Sequence, residues 1–280
     1  MNPAEVIRLW PEGPPTVIEN VPPEDDWIVS SGLAKGQRFI RNISDPTLTV
    51  YTPTGESNGV GVIVAPGGGW TITASGHEGT EVADWLVPLG YTVFLLKYRV
   101  MASETDRAKF EARWAKNDEV LPGTIPKAMK PTAIGDVIKG EKYDAARTAA
   151  ADDGRRAIAL ARERVDTLGM LGFSAGAFMA VDIALDPQAE QLAWIAPVYG
   201  GETRGAPVPA DAPPLFTAVA QDDILVRIVE GLCADWTAAD RPVELHHFAS
   251  GGHGFGMTKR GVASDRWTDM FRAWLLDISS

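Results

Sequence analysis

The chain has one cysteine, four histidines and no apolar run near the roughly 18 residues that a membrane-crossing helix needs. Each shortage excludes something. Cys233 stands alone, so no disulfide can form within the chain. It falls in the apolar stretch Leu225 to Trp236, which suits a buried, inert thiol. There is no Cys-x-x-Cys, no His-x-x-x-His and no carboxylate cluster, so neither metal nor other cofactor is expected. Positive charge is also scarce: 26 Lys and Arg face 37 Asp and Glu, a net charge of −11. That argues against nucleic acid or an anionic membrane as partner and is easier to reconcile with a small neutral or cationic substrate. No basic segment leading into an apolar one opens the chain, so a cytoplasmic protein is expected, or a secreted or periplasmic one if a leader has been removed.

What is present is an ordinary globular balance, 45% hydrophobic and 22% charged, over 280 residues. This suits one large α/β domain spanning 1–280, without repeat or linker. The first 35 residues, rich in proline and acids, are expected to wrap the surface. Gln37 to Tyr51 predicts an antiparallel hairpin turning at Ser44-Asp45-Pro46. Continuous apolar runs follow at Gly61–Ala65, Thr92–Leu96, Leu168–Leu171, Ala193–Val198 and Leu215–Ala220. Strands buried on both faces read this way and belong to parallel sheets. Val243–Phe248 is more polar and suits an edge. Helical patterns alternate with the strands at Glu78–Leu89, Tyr143–Arg164, Ala175–Leu185, Leu225–Ala239 and Ser264–Leu276. The alternation predicts a mostly parallel, doubly wound sheet flanked by helices. Val100 to Gly140 breaks the rhythm with three prolines beside a charged, helix-like stretch at Glu104–Asn117. It reads as a lid or rim insertion, or else as a surface excursion.

Met170-Leu171-Gly172-Phe173-Ser174-Ala175-Gly176 carries the most information. It is the end of a buried strand, a Gly-x-Ser-x-Gly turn and the start of a helix, the setting of a nucleophile elbow. Small residues are needed two before and two after the serine, where strand and helix approach closely. A serine hydroxyl needs a base, and the base needs an orienting carboxylate. His253 lies in the glycine-rich loop 251–256 between the last strand and the last helix, and is the expected base. His246 and His247 alternate within a strand and read as packing or surface residues. The acid should leave the end of Leu215–Ala220, where Asp223 is favoured over Asp222 and the other would cap the next helix. Backbone N–H groups of Ala175 and of Gly68 or Gly69 are expected to form an oxyanion hole. Trp70 is expected to wall the cleft and touch substrate. Glu78 reads as a helix-start charge, and Asp152, Asp153, Arg155 and Arg156 as a solvated, salt-bridged helix face.

Taken with Leu9-Trp10-Pro11, Pro66-Gly67-Gly68-Gly69-Trp70, His77-Glu78-Gly79, Leu96-Lys97-Tyr98-Arg99 and His253-Gly254-Phe255-Gly256, the chain resembles the α/β-hydrolase superfamily. More narrowly it is similar to the bacterial esterases grouped with acetylxylan and feruloyl esterases. The resemblance implies an α/β-hydrolase fold, with Ser174, Asp223 and His253 as the catalytic triad. It also implies a serine carboxylic-ester hydrolase acting on short-chain esters, including acetylated or feruloylated carbohydrates. Members often carry tyrosine where Trp70 stands and a second glycine where Ala177 stands, which leaves acyl and alcohol preference open. The alternatives are an amidase or aryl-formamidase with the same triad, and a non-catalytic binding module on the same scaffold.

Overall fold

The continuous apolar runs form the centre of an eight-stranded sheet. The computed structural model describes residues 2–30, 34–118 and 140–278. The strands are β1 (Glu5–Arg8), β2 (Asp25–Ile28), β3 (Arg38–Arg41), β4 (Thr47–Tyr51), β5 (Val60–Ala65), β6 (Ile72–Thr73), β7 (Thr92–Lys97), β8 (Thr167–Phe173), β9 (Trp194–Val198), β10 (Leu215–Ala220) and β11 (Val243–Phe248). The helices are α1 (Glu81–Leu86), α2 (Arg107–Asp118), α3 (Glu141–Arg162), α4 (Ala175–Ala184), α5 (Val226–Ala238) and α6 (Trp267–Ile278). The main sheet runs β1-β4-β7-β5-β8-β9-β10-β11. Its strands are parallel from β7 to β11, and β4 and β1 pair antiparallel at one edge.

Alternation along β8 shows how both faces are covered. Phe173 packs edge-on to Trp267 of α6, ring centroids 5.6 Å apart, whereas a Cβ at the neighbouring Gly172 would run into the first turn of α4. α1 joins α6 on one face through Trp85, whose ring lies 6.0 Å from Trp267. α3 and α4 pack together on the other, with Met179 and Ile183 closing over Gly154. This is the mostly parallel, doubly wound arrangement expected from the alternating pattern. No helix among the described residues is long and apolar enough to cross a membrane.

The Gln37–Tyr51 hairpin does not form. β3 pairs with β2 and β6 in a separate three-stranded sheet, while β4 joins β1 and β7 in the main one. Burial decides the split. Arg41 is fully buried, with its guanidinium 4.6 Å from the Phe110 ring and 5.7 Å from that of Trp27. It donates to Asp25 Oδ2 at 3.0 Å and to the Thr105 carbonyl at 3.3 Å. Those contacts commit β3 to the small sheet and to α2, whose Phe110 sits edge-on to Trp27. Asn42, at φ 54°, then redirects the chain so that Leu48 and Val50 enter the main core. The helix expected in the inserted segment is therefore a buttress of the small sheet. Residues 119–139, the rest of the segment read as a lid or rim, lie outside the described residues.

A second expectation is corrected on α3. Asp153 is fully buried, not solvated. Its carboxylate accepts from the Arg99 guanidinium at 2.7 Å, the Arg99 amide at 2.9 Å and Trp10 Nε1 at 2.6 Å. Arg99 also donates to the carbonyls of Ala149 and Thr16, so one buried pair ties the N-terminal segment to β7 and α3. Only Asp152 and Arg155 form the expected surface pair, at 2.7 Å. Asp153→Ala would strand a buried guanidinium and should lower the unfolding free energy by about 3–5 kcal/mol in urea titrations. Trp10→Phe, which deletes one donor, should cost about 1 kcal/mol.

Candidate active site

Ser174 occupies the turn between β8 and α4 with φ 48° and ψ −112°. For a non-glycine residue such a backbone costs of order 1–3 kcal/mol and persists only where its surroundings enforce it. They do so here by close approach. A Cβ on Gly172 would overlap the Gly176 carbonyl oxygen, and a Cβ on Gly176 would overlap the Ala65 carbonyl oxygen of β5. The Ser174 amide donates to the Val198 carbonyl of β9 at 3.1 Å. The elbow is thus pinned between three strands, and its hydroxyl projects from the end of β8.

His253 meets it there. Ser174 Oγ lies 2.9 Å from His253 Nε2, and His253 Nδ1 lies 2.9 and 3.0 Å from the two oxygens of Asp223. A carboxylate only accepts, so Nδ1 carries the hydrogen and Nε2 is left to accept from the serine hydroxyl. Asp223 is fully buried, and its Oδ1 also accepts the Leu225 amide at 2.7 Å. The helix cap expected of the other aspartate does not form: Leu225 is the N-cap of α5, and no side chain bonds there as a cap. Asp222 instead accepts the Gly252 amide at 2.8 Å and so holds the histidine loop. Arg260 donates to the carbonyls of Gly251, His253 and Gly254, and Trp267 Nε1 donates to that of Gly256 at 2.7 Å. Burial opposes protonation of the imidazole. The Asp223 carboxylate, by charge and hydrogen bond, and the Glu78 carboxylate more than offset it, so the His253 pKa lies above the ordinary 6.5.

The glycine loop follows β5 and bends around the serine. Tyr98 Oη donates to the Pro66 carbonyl at 2.6 Å, and a Cβ on Gly67 would lie 2.8 Å from Ser174 Cβ. The Gly67 amide is spent on Glu78 Oε2 at 2.7 Å. Among the described residues, no hydrogen bond engages the amides of Gly68, Gly69 or Ala175. Trp70 does not wall an open cleft. It is 1% exposed, edge-on to Tyr143 at 4.8 Å and tilted against Phe178 at 5.6 Å. With φ 53° and its carbonyl accepting the Met101 amide at 2.7 Å, its backbone sends the ring into the interior between α3 and α4.

Two site residues escaped the sequence reading. Glu78 is 3% exposed and sits in a short π-helical turn, Gly76–Thr80. Its carboxylate faces the site instead of the helix start, accepting from Gly67 and from Tyr199 Oη at 2.7 Å. Tyr199, at φ 40° just after β9, in turn accepts the Gly256 amide at 3.0 Å. The available signal was a His-Glu-Gly triplet soon after the glycine loop, and its polar, glycine-rich surroundings do not distinguish a buried carboxylate from a solvated one. His246 and His247 lie on β11 away from the serine, beside Glu244 and Glu230 respectively. Burial raises the Cys233 thiol to about 12, which suits an inert group. Among the described residues, no group of three or more His, Cys, Asp or Glu side chains is arranged to hold a metal ion.

The family model of the dienelactone hydrolase family matches residues 48–276. An acetyl ester-xyloside bifunctional hydrolase from Caldicellulosiruptor lactoaceticus is similar in structure, with a TM-score of 0.63 at 19% identity, covering 100% of this chain and 98% of that one. The carboxylesterase Cest-2923 from Lactobacillus plantarum superposes with a TM-score of 0.55 at 16% identity over 91% of this chain and 97% of that one. A thermophilic esterase from Thermogutta terrifontis gives 0.56 at 15% identity over 92% and 94%. At these identities the likeness is one of fold. No curated protein sequence matches the chain. The family match spans most of the chain and includes the elbow and both loops that meet it: the protein belongs to the dienelactone hydrolase family, hydrolases of the α/β-hydrolase fold.

Proposed function

We propose that the protein is a serine carboxylic-ester hydrolase working through an acyl-enzyme. The observation that carries this reading is the unbroken chain from Ser174 Oγ through His253 to buried Asp223, at 2.9 and 2.9–3.0 Å, on a strained elbow. Ser174 Oγ attacks the ester carbonyl carbon while its proton passes to His253 Nε2. The oxyanion that develops is held by the amides of Ala175 and of Gly68 or Gly69. Collapse breaks the bond to the leaving alcohol, which takes the proton from Nε2. Water then gives its proton to Nε2 and attacks the acyl carbon, and the proton returns to Ser174 Oγ as the acid is released. Asp223 stabilises the imidazolium formed in each half and holds the ring in the required tautomer. Small acyl groups such as acetyl, on a sugar or other small alcohol, are the proposed substrates. The resemblance to acetylxylan esterases and the name of the acetyl ester-xyloside hydrolase of like fold support this choice.

Three outcomes test the reading. Across p-nitrophenyl esters from acetate to octanoate, turnover should be fastest on the shortest chains, and Ser174→Ala should reduce kcat by about 10⁴-fold or more. Matched anilides should turn over far more slowly; a preference for them would replace the esterase with an amidase. Asp223→Asn should lose about 10⁴-fold in kcat, whereas Asp222→Ala, which frees only the Gly252 amide, should lose roughly tenfold. Equal losses would mean that the two aspartates are misassigned. The third outcome is a pH profile. Protonated His253 cannot accept the serine proton, so kcat/KM should fall as pH drops through its pKa. The neighbouring carboxylates place that midpoint above 6.5. A kcat/KM that stays flat from neutral to clearly acidic pH would mean that His253 is not the base.

A further inference from the structure

Glu78 is a buried carboxylate that the triad does not explain. Bringing a carboxylate out of water costs several kcal/mol unless hydrogen bonds or a counter-charge offset it. Its carboxylate accepts from two neutral donors, the Gly67 amide and Tyr199 Oη, both at 2.7 Å. Neither arrangement is easily reversed. An amide can only donate, and Tyr199 Oη already accepts the Gly256 amide, which leaves its proton for Glu78. One carboxylate therefore joins the loop that carries Gly68 and Gly69 to the loop that carries His253. The His77 carbonyl adds a second tie, accepting the Met257 amide at 2.9 Å.

The surroundings hold little positive charge to match it. His77 Nε2 stands 3.7 Å from Glu78 Oε1, but the same ring spends Nδ1 on Gln37 Oε1 at 3.1 Å. Tyr98 from just past β7 and Tyr199 from just past β9 are neutral phenols whose pKa values are pushed well up by burial and by Glu78. Around His253 the other groups are Asp223, Ser174, the Tyr199 ring with its centroid 5.2 Å away, and Arg260 on its own loop, which opposes protonation. Besides His77, a positive charge arises near Glu78 when His253 takes the serine proton.

We propose that Glu78 is a positioning residue of the hydrolytic site, clamping the oxyanion loop to the histidine loop and acting as a second counter-charge to the His253 imidazolium. The proposal rests on the serine-hydrolase reading for its catalytic meaning, but its electrostatic half stands without turnover. Consistent with it, Glu78 is among the groups that raise the His253 pKa. The charge also has a cost: a carboxylate behind Gly67 disfavours the oxyanion. Its benefit must then come through the histidine.

The test follows the His253 imidazole by NMR, its resonance assigned against His253→Asn, in wild type, Glu78→Gln and Tyr199→Phe. In Glu78→Gln the titration midpoint should fall by about half a unit to one unit. The acid limb of kcat/KM on p-nitrophenyl acetate should fall with it, and kcat should drop about tenfold with KM within about twofold. A folded Glu78→Gln whose His253 midpoint stays within about 0.2 of wild type overturns the proposal. If that variant does not fold, Tyr199→Phe decides. It keeps Glu78 but removes the bridge to Gly256, and kcat should fall about tenfold at unchanged KM; a wild-type kcat overturns the clamp. Absence of turnover in wild type would sink the esterase reading alone, because the NMR midpoints are read without substrate.

Discussion

The close approach of α4 to β5 and β8 is the constraint on which the rest of this site depends. Without side chains at Gly172 and Gly176 the first turn of the helix presses against backbone carbonyls, and Ser174 has no room for an extended or helical conformation. The strain in one residue is small against the burial that enforces it: β5, β8 and β9 are almost wholly buried along their lengths. The same compression places the Ala175 amide at the head of α4, where the positive end of the helix dipole adds to it. A single packing requirement therefore fixes both Ser174 and the Ala175 amide, the proposed nucleophile and one proposed oxyanion donor.

The loops are held by a different means. Each loop buries one aromatic ring, Trp70 and Phe255, and side chains bonded to backbone fix the rest of it. Arg260, Asp222 and Trp267 grip the loop around His253, while Tyr98 and Glu78 grip the loop after β5. Buried polar bonds of this kind are costly when half satisfied and rigid when complete. Glu78 differs from the others in touching both loops at once, directly through Gly67 and by way of Tyr199. The relative placement of the two loops is thus tied through one carboxylate as well as through the His77 carbonyl and the Met257 amide.

The parallel sheet was legible because strands buried on both faces leave an unmistakable apolar run. Leu215–Ala220 and Val243–Phe248 fall where the sequence put them, and the other runs differ by a few end residues. The meeting of Ser174, His253 and Asp223 was legible for a related reason: each leaves the end of a strand whose position is fixed by that pattern. What failed were readings that depended on contacts between distant segments. Gln37–Tyr51 alternates like a hairpin, but Arg41 finds Asp25, Trp27 and Phe110, none of which its local pattern announces. Asp153 looked like one of several helix-face charges until Arg99 and Trp10 converged on it from segments 54 and 143 residues away. Trp70 followed a glycine loop and was read as a cleft wall, yet a positive φ turned it inward. In each case a buried polar or aromatic group chose a tertiary partner that composition cannot reveal.

Glu78 brings these strands of reasoning together, because it constrains which amides can serve the oxyanion. Since the Gly67 N–H is committed to the carboxylate, it cannot also point at a developing negative charge. Among the described residues, the amides of Gly68 and Gly69, at φ 130° and 58°, make no hydrogen bond. The carboxylate thus holds the loop through the first glycine and leaves the next two amides free for the proposed oxyanion role. Its path to the histidine loop runs through one tyrosine. The carboxylate also lies close to the serine, since a Cβ on Gly67 would be 2.8 Å from both Glu78 Oε2 and Ser174 Cβ. A second negative charge near an imidazole favours its charged form, and in the proposed role that is where the benefit of Glu78 lies.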